Sequence, residues 1–309
     1  MKYLHIENSD LLVSNLALGC MRLPARSYRE AETLVCSAVD AGVNFFDHAD
    51  IYGNGEAETL FGRVLKANPS LRGRMLIQSK CGIVRGKNTA YYDFSKKHIL
   101  EAVEGSLARL GVETLDVLLL HRPDALMDPM TVAQAFRELR ESGKVRYFGV
   151  SNFNAGQLAL LRKYAPYPIL FNQLQMSVVH CPMIDAGLNV NRTNPEAADR
   201  DGSTLDYCRL NGITIQAWSV MMALAGEGTF LNHPKYGALN DTLETLGKEY
   251  GLAPNAMAVA WLLRHPAKMQ AVAGTTSPEH LAELAAASEV RISREHWYDI
   301  YTAAGKIVP

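Results

Sequence analysis

The sequence predicts a closed α/β barrel of eight parallel strands, each followed by a helix. Short apolar stretches alternate with longer stretches of 3.6-residue hydrophobic periodicity, a pattern typical of parallel βαβ units. The alternation occurs eight times, and no Pro-, Gly- or Ser-rich linker interrupts it. Eight such units favour closure of the sheet. We therefore predict one domain over residues 1–309, folded as a (β/α)8 TIM barrel.

Apolar runs and capping residues place the strands and helices of this barrel. Ser95 and the Ser277-Pro278 pair precede helices, where a side-chain oxygen can accept from a free amide and Pro fits the first turn. Gly111 and Gly143 follow helices, where a residue in the left-handed conformation is expected. The predicted strands are 16–18, 44–46, 75–79, 115–120, 145–150, 169–173, 213–217 and 270–273. The predicted helices are 29–41, 56–67, 96–110, 131–142, 155–164, 203–210, 254–264 and 278–286.

Three segments lie outside the eightfold repeat. Residues 1–14 form a short β-rich prefix, expected as a hairpin that closes the bottom of the barrel, and residues 293–304 predict an extra helix packed outside it. The longest connection, residues 176–202, joins the sixth strand to the sixth helix. A structureless loop of that length is uncommon in a compact domain unless it is functional. We expect it to be a substrate lid.

Composition and charge exclude several classes of protein. The chain has 31 Lys plus Arg against 32 Asp plus Glu, so it offers no broad basic field for nucleic acid. Its longest apolar run, residues 256–263, is far shorter than the roughly 18 residues of a membrane span, and the N-terminus does not look like a signal peptide. Five widely spaced cysteines without a C-x-x-C pair indicate neither disulfides nor a zinc site. We expect a cytoplasmic protein that binds no metal, nucleic acid or membrane.

Polar side chains stand where the predicted strands end, the edge of a barrel at which chemistry takes place. A strand-end Asp47 and Lys80 could be a structural ion pair, but the presence of Tyr52 and His121 favours catalysis. His48 is interpreted as structural. Two other carboxylates in this region, Asp50 and Glu56, flank a Tyr-Gly turn and are interpreted as solvated loop charges rather than as a glycosidase pair.

Taken in order along nearly the whole chain, these residues resemble the aldo-keto reductase family. The resemblance implies that Tyr52 is the proton donor and that His121 positions a carbonyl oxygen. It also implies that Lys80 and Asp47 tune Tyr52. The residues that carry it are Gly19-Cys20-Met21-Arg22, Asp47 with Tyr52, Lys80, His121, Gly149-Val150-Ser151-Asn152-Phe153, Gln173, Trp218-Ser219 and Gly274-Thr275-Thr276.

The chemistry implied by the resemblance has a physical basis. Carbonyl reduction puts hydride on carbon and negative charge on oxygen, so an acid must deliver a proton. A free tyrosine, with a pKa of about 10, is reluctant to do so at neutral pH. The ammonium of Lys80 would lower the pKa of Tyr52, and Asp47 would keep that ammonium charged and in place.

The resemblance further implies a nicotinamide cofactor in the barrel mouth, whereas the lack of G-x-G-x-x-G after the first strand disfavours a Rossmann site. The carboxamide is expected on Ser151, Asn152 and Gln173, and the ring on Trp218. The turn before the eighth helix suits a phosphate. The implied cofactor residues are Met21, Arg22, Ser151, Asn152, Gln173, Trp218, Ser219, Gly274, Thr275, Thr276 and Ser277.

The sequence departs from the family in ways that bear on the cofactor. Many relatives place Arg or Lys near Ser277 to pair with the 2′-phosphate, and Gln where His280 stands. Residues 220–222 are Val-Met-Met instead of the common Pro-Leu after Trp-Ser. We expect NADP(H), with NAD(H) as the alternative.

The implied function is reduction of a small aldehyde or ketone by a monomer or weak homo-oligomer. A cofactor-binding redox sensor or partner subunit on the same fold is the alternative. An aldolase with Lys80 as Schiff base would leave Asp47 and Tyr52 unexplained. The expected substrate walls are loops 82–93, 122–128 and 176–202, with Tyr91, Tyr92 and Met176 as candidates.

Overall fold

The computed structural model describes residues 1–223 and 227–309. The strands are β1 (Tyr3–His5), β2 (Leu12–Ser14), β3 (Leu16–Gly19), β4 (Phe45–Asp47), β5 (Leu76–Cys81), β6 (Ile83–Arg85), β7 (Ala90–Tyr92), β8 (Leu115–Leu120), β9 (Val145–Ser151), β10 (Ile169–Gln175), β11 (Thr214–Trp218) and β12 (Gln270–Ala273). The helices are α1 (Tyr28–Asp40), α2 (Glu56–Ala67), α3 (Lys96–Leu110), α4 (Pro129–Glu141), α5 (Ala155–Tyr164), α6 (Pro182–Leu188), α7 (Thr204–Leu210), α8 (Gly237–Tyr250), α9 (Pro254–Leu263), α10 (Pro278–Ala286) and α11 (Arg294–Ala303).

Eight parallel strands close into a barrel, which confirms the predicted (β/α)8 TIM fold. Their order is β3-β4-β5-β8-β9-β10-β11-β12, and β12 pairs back to β3. The predicted caps are also confirmed, because the side chains of Ser95 and Ser277 accept hydrogen bonds from the amides of His98 and His280. Gly111 ends α3 with a φ of +66°, the left-handed conformation that glycine adopts without steric cost.

The bottom of the barrel is closed by the N-terminal hairpin, as predicted. Strands β1 and β2 pair antiparallel. Ile6, Leu11 and Val13 are buried in one apolar cluster with barrel residues that include Phe45 and Phe171. The opposite end of the barrel, where the strands end, is the one that opens into a cavity.

The C-terminal helix predicted outside the barrel is present as α11. Its Trp297 stacks on Trp261 of α9 with ring centroids 5.0 Å apart. Each indole N–H of the pair donates to the other residue's backbone carbonyl at 3.1 Å. In the described part of the chain, no helix combines the length and apolar character needed to cross a bilayer.

The sequence prediction missed two helices and one β-hairpin. Helix α8 precedes α9 in the seventh unit, and α6 lies inside the connection expected to be an unstructured lid. Strands β6 and β7 form a separate hairpin after β5. Helix α8 carries a readable signal, since Leu239, Leu243 and Leu246 recur at helical spacing and are buried. The sequence prediction places only α9, which is apolar apart from Asn255, as the seventh helix.

Candidate active site

The carboxyl ends of the barrel strands open into a cavity of about 950 Å³. This volume is at the upper end of the range for small-molecule and cofactor sites. The predicted site residues that line it are Met21, Arg22, Asp47, Tyr52, His121, Ser151, Asn152, Gln173, Trp218, Ser219, Gly274 and Thr275. Lys80 lies behind the wall and is fully buried.

Lys80 is the centre of the predicted catalytic group. Its Nζ lies 2.8 Å from the Asp47 carboxylate, 3.0 Å from the Tyr52 hydroxyl and 2.9 Å from the backbone carbonyl of His48. An ammonium has three N–H donors, so these three contacts use all of them. Asp47 ends β4 and Lys80 lies near the end of β5, its neighbour in the barrel, which explains why the two charges meet.

Burial and charge act against each other at Lys80 and Tyr52. Burial opposes the charged lysine, but Asp47 and Tyr52 outweigh it, so the pKa of Lys80 is raised above its usual value. Burial also raises the pKa of Tyr52, and the opposing pull of the Lys80 ammonium does not cancel it. The expectation that Lys80 leaves Tyr52 with a lowered pKa is therefore wrong in its net direction. Tyr52 keeps its proton at neutral pH, the state that a proton donor requires.

His121 completes the group from the end of β8. Its ring meets that of Tyr52 edge to face, with centroids 5.8 Å apart at 83°. Burial, with smaller contributions from Lys80 and Arg122, lowers the pKa of His121 well below its usual value. The imidazole is therefore neutral and has one N–H to donate. Two hydrogen-bond donors, Tyr52 and His121, consequently face the same part of the cavity.

A second polar group lies beside this one and orients an aromatic ring. Ser151 Oγ donates to the backbone carbonyl of Gln173 at 2.9 Å, and Asn152 Nδ2 donates to Ser151 Oγ at 2.8 Å. Trp218 Nε1 donates to Asn152 Oδ1 at 3.2 Å. The guanidinium of Arg122 lies 5.6 Å from the centroid of the Trp218 ring. These contacts hold the indole in place at the cavity wall.

Another part of the cavity is lined by the turn before α10 and by carboxylates. Gly274 and Thr275 line the cavity, and Thr276 lines a smaller neighbouring cavity of about 390 Å³. Ser277 is used as the cap of α10, where its Oγ accepts from the His280 amide at 3.1 Å. Sequence analysis did not identify the following residues that also line this cavity: Val220, Met221, Met222, Asn240, Asp241, Glu244, Asn255 and Glu283.

Comparisons with known proteins agree on one family. The model of the aldo/keto reductase family matches residues 15–304. The chain belongs to the aldo-keto reductase family. It is 37% identical over 305 residues to an uncharacterized oxidoreductase of Bacillus subtilis, with 95% of each chain covered. It is also 36% identical over 308 residues to a 6-dehydroglucose reductase of Agrobacterium fabrum, with 96% of each covered.

Solved structures of aldo-keto reductases have the same fold. One from Klebsiella pneumoniae in complex with NADPH superimposes with a TM-score of 0.75 at 20% identity, covering 97% of this chain and 93% of that one. The family is one of oxidoreductases, and this chain is an oxidoreductase. Its fold and family were both predicted from the sequence and are confirmed.

The expected lid does not border the active site of this aldo-keto reductase. No residue of the segment 176–202 is among those that line the described cavity, and Met176 is fully buried. Asp185 of α6 instead accepts from the Tyr301 hydroxyl at 2.8 Å and from Lys306 Nζ at 2.7 Å. The segment is therefore attached to the C-terminal helix. This part of the cavity wall comes instead from the seventh unit, where residues 219–222, 228–229 and 231–232 line it.

Most of the other residues expected to form the substrate wall do not line the cavity either. Tyr91 and Tyr92 are exposed on the β6–β7 hairpin, and neither is among the residues that line the described cavity. From the loop 122–128, Arg122 lines the described cavity. His48, interpreted as structural, is fully buried and packs edge to face against Phe61 with centroids 4.5 Å apart.

Asp50 is not a solvated loop charge, although Glu56 is exposed as expected. Within the described chain, Asp50 Oδ1 is buried and lacks a hydrogen-bond partner. Burial, reinforced by the nearby Glu58 carboxylate, raises the pKa of Asp50 to about 7. Glu58 is itself fully buried and held by Arg109 Nε at 2.7 Å. The carboxyl of Asp50 therefore titrates near neutral pH.

We expect Asp50→Asn to stabilise the protein at pH 8 more than at pH 5. The folded-state pKa of Asp50 is raised, so its contribution to stability is largest below the unfolded value of 3.8 and is lost as pH rises through about 7. An Asn at this position does not titrate, so the variant does not lose stability as pH rises. The free energy of unfolding of the variant relative to the wild type should therefore grow by about 1–2 kcal/mol from pH 5 to pH 8. This is less than the full value of about 1.4 kcal/mol per pKa unit, because solvent reaches the group.

Urea unfolding at the two pH values measures this difference. The matched control is Asp40→Asn, which makes the same change of side chain at an exposed position on α1. Equal effects of the Asp50 substitution at pH 5 and pH 8 would contradict the assignment.

Proposed function

We propose that this aldo-keto reductase reduces an aldehyde or ketone to an alcohol with NADPH, and that Tyr52 supplies the proton. The observation that carries the proposal is the Tyr52 hydroxyl at the cavity wall, 3.0 Å from the buried ammonium of Lys80. A neutral His121 stands edge to face with it. Together they offer a hydrogen-bond donor and an acid to one carbonyl oxygen.

The residues present fit a nicotinamide at the proposed position. Gln173 Nε2 donates to Asp47 Oδ1 at 3.0 Å and to Gln216 Oε1 at 3.2 Å, which uses both of its N–H groups. Its Oε1 is left to accept from a carboxamide, and Asn152 and Ser151 stand nearby. Trp218 provides an aromatic face for the ring. When bound, the reduced nicotinamide supplies a hydride.

The chain's own residues handle the proton and the charge. As hydride reaches the carbonyl carbon, the Tyr52 O–H bond breaks and its proton goes to the oxygen, which leaves an alcohol and a tyrosinate. Lys80 donates to Tyr52 and stabilises that negative charge, and Asp47 keeps Lys80 charged. His121 donates its single N–H to the same oxygen and positions it. Proton uptake from water restores Tyr52.

The preference for NADPH over NADH is proposed to be weak. Arg22 lines the cavity, and Arg26 donates to Thr276 Oγ1 at 2.8 Å, so guanidinium groups lie near the proposed phosphate turn. Ser277, however, serves as a helix cap. The carboxylates that line the same cavity and would repel a 2′-phosphate are Asp241, Glu244 and Glu283. The NADPH complex of the Klebsiella pneumoniae protein supports NADPH as the cofactor.

The aldolase alternative is disfavoured by the surroundings of Lys80. A Schiff base requires an uncharged amine that substrate can reach, whereas Lys80 is fully buried and donates three hydrogen bonds as an ammonium. The raised pKa of Lys80 also favours the charged amine, which cannot form a Schiff base. The rival proposal of a redox sensor predicts cofactor binding without turnover.

The test is a steady-state panel of small aldehydes, ketones and aldoses with NADPH and with NADH. A 6-aldehydo sugar belongs in the panel because of the name of the Agrobacterium fabrum relative. We expect carbonyl-dependent oxidation of both cofactors, with kcat/KM for NADPH within about tenfold of that for NADH, a difference of about 1.4 kcal/mol. Cofactor binding without turnover on any carbonyl would favour the sensor and contradict the reductase.

A further inference from the structure

Beneath the active site, the barrel interior contains a layer of four glutamines. Gln78, Gln216 and Gln270 are fully buried, and Gln173 is 3% exposed. They lie on β5, β11, β12 and β10. Barrel interiors are usually filled by branched apolar side chains, and burying an amide costs free energy unless it is hydrogen-bonded. Four buried amides in one layer are therefore expected to be hydrogen-bonded to one another or to neighbouring polar groups.

The pairing register of the strands explains why the amides meet. Asp47 of β4 is opposite Gln78 of β5. Gln173 of β10 is opposite Gln216 of β11, which in turn is opposite Gln270 of β12. Residues in register on neighbouring strands point to the same face of the sheet, here the barrel interior. The five side chains thus form one layer across the barrel.

The hydrogen bonds in this layer converge on Asp47. Gln78 Nε2 donates to Asp47 Oδ1 at 2.6 Å, and Gln173 Nε2 donates to the same oxygen at 3.0 Å. The second N–H of each amide is accepted by Gln216 Oε1, at 3.0 and 3.2 Å. Gln216 therefore orients both of the amides that hold Asp47.

The remaining bonds fix Gln216 itself. Gln216 Nε2 donates to Gln270 Oε1 at 2.8 Å, and Gln270 Nε2 donates to the backbone carbonyl of Ser14 at 2.6 Å. Ser14 belongs to the hairpin at the barrel bottom. A continuous chain of hydrogen bonds thus runs from that hairpin to the catalytic carboxylate.

We propose that Gln78 and Gln216 are positioning residues for the reduction, which hold the Asp47 carboxylate so that Lys80 stays directed at Tyr52. The inference rests on the proposed function. Gln78 and Gln216 act through Asp47, since Gln78 donates to it directly and Gln216 orients both Gln78 and Gln173. Gln78 Oε1 has no partner in the described part of the chain, so the two N–H groups of this amide make all of its side-chain hydrogen bonds in the layer.

The groups that set the titration of Tyr52 are few. Burial raises the pKa of Tyr52 most, the Lys80 ammonium lowers it, the Asp47 carboxylate raises it, and the neutral His121 ring packs against the phenol. Removing a donor from Asp47 leaves more of its negative charge directed at Lys80 and Tyr52. The pKa of Tyr52 should therefore rise further.

The test compares Gln78→Met and Gln216→Met with Gln270→Met as the matched control, because Gln270 lies in the same layer but bonds neither to Asp47 nor to the two amides that donate to it. For the first two variants we expect kcat to fall about tenfold or more with little change in cofactor KM. The pH at which reduction declines should move upward by about half a unit or more. Gln270→Met should change kcat less than about twofold.

A second readout does not depend on turnover. In protein labelled with 13C at tyrosine Cζ, the Tyr52 resonance, assigned with Tyr52→Phe, should move in the Gln78 and Gln216 variants and stay in place in the Gln270 variant. Thermal unfolding confirms that each variant is folded. An unmoved resonance in folded Gln78→Met and Gln216→Met, or an equal shift in Gln270→Met, would overturn the inference. Absence of turnover in the wild type would instead contradict the proposed function.

Discussion

Tyr52→Phe is expected to lower kcat for carbonyl reduction by about 10²–10⁴-fold, the usual contribution of a positioned general acid. The substitution removes only the hydroxyl, which lies 3.0 Å from Lys80 Nζ. Hydride transfer would then have to leave an unprotonated alkoxide beside His121, whose neutral imidazole is a poor acid. The measurement is the single-turnover rate of NADPH oxidation with the best carbonyl of the panel.

Measuring cofactor affinity shows whether Tyr52→Phe slows the reaction itself or damages the cofactor-binding site. NADPH should quench Trp218 fluorescence with similar affinity in the wild type and in Tyr52→Phe, since the nicotinamide is proposed to lie on Trp218 and not on the phenol. Tyr91→Phe is the matched control, because Tyr91 is an exposed tyrosine on the β6–β7 hairpin. Reduction retained at the wild-type rate in Tyr52→Phe would remove Tyr52 from its proposed role.

Lys80→Met is expected to reduce both turnover and stability. Removing one partner of a buried ion pair leaves an uncompensated charge and costs about 3–5 kcal/mol in free energy of unfolding. Here Asp47 retains donors in Gln78 and Gln173, so the lower end of that range is expected. The rate of reduction should fall at least about 10²-fold, because the tyrosinate formed from Tyr52 would lack its cation.

A double-mutant cycle isolates the pair. Asp47→Asn combined with Lys80→Met removes both charges and should recover much of the lost stability without recovering activity. Lys96→Met is the surface control, since Lys96 forms an exposed pair with Glu138 at 2.7 Å and should cost less than about 1 kcal/mol. A Lys80→Met protein as stable as the wild type would show that the Asp47–Lys80 pair contributes little to the folded state.

The fold was predicted correctly where hydrophobic residues recur with a strong period. It was predicted wrongly where the position of a segment depends on contacts with residues distant in sequence. Strand β8 and helices α2, α3, α5 and α10 were predicted with the observed bounds. The segment 176–202 has no strong period, and its placement is decided by contacts of Asp185 with Tyr301 and Lys306, more than 100 residues away. Pairings so distant in sequence leave no local pattern.

The sequence by itself determined that the chain forms eight βα units, which polar residues end the strands, and that these residues match the aldo-keto reductases. Those properties are local, because they follow from periodicity, capping and residue identity. Only the tertiary structure decided the direction of the pKa shift at Tyr52, the burial of Asp50 Oδ1 and the layer of four glutamines, two of which donate to Asp47. Desolvation and hydrogen bonding depend on which strands pair in which register, and closure of the barrel sets that register.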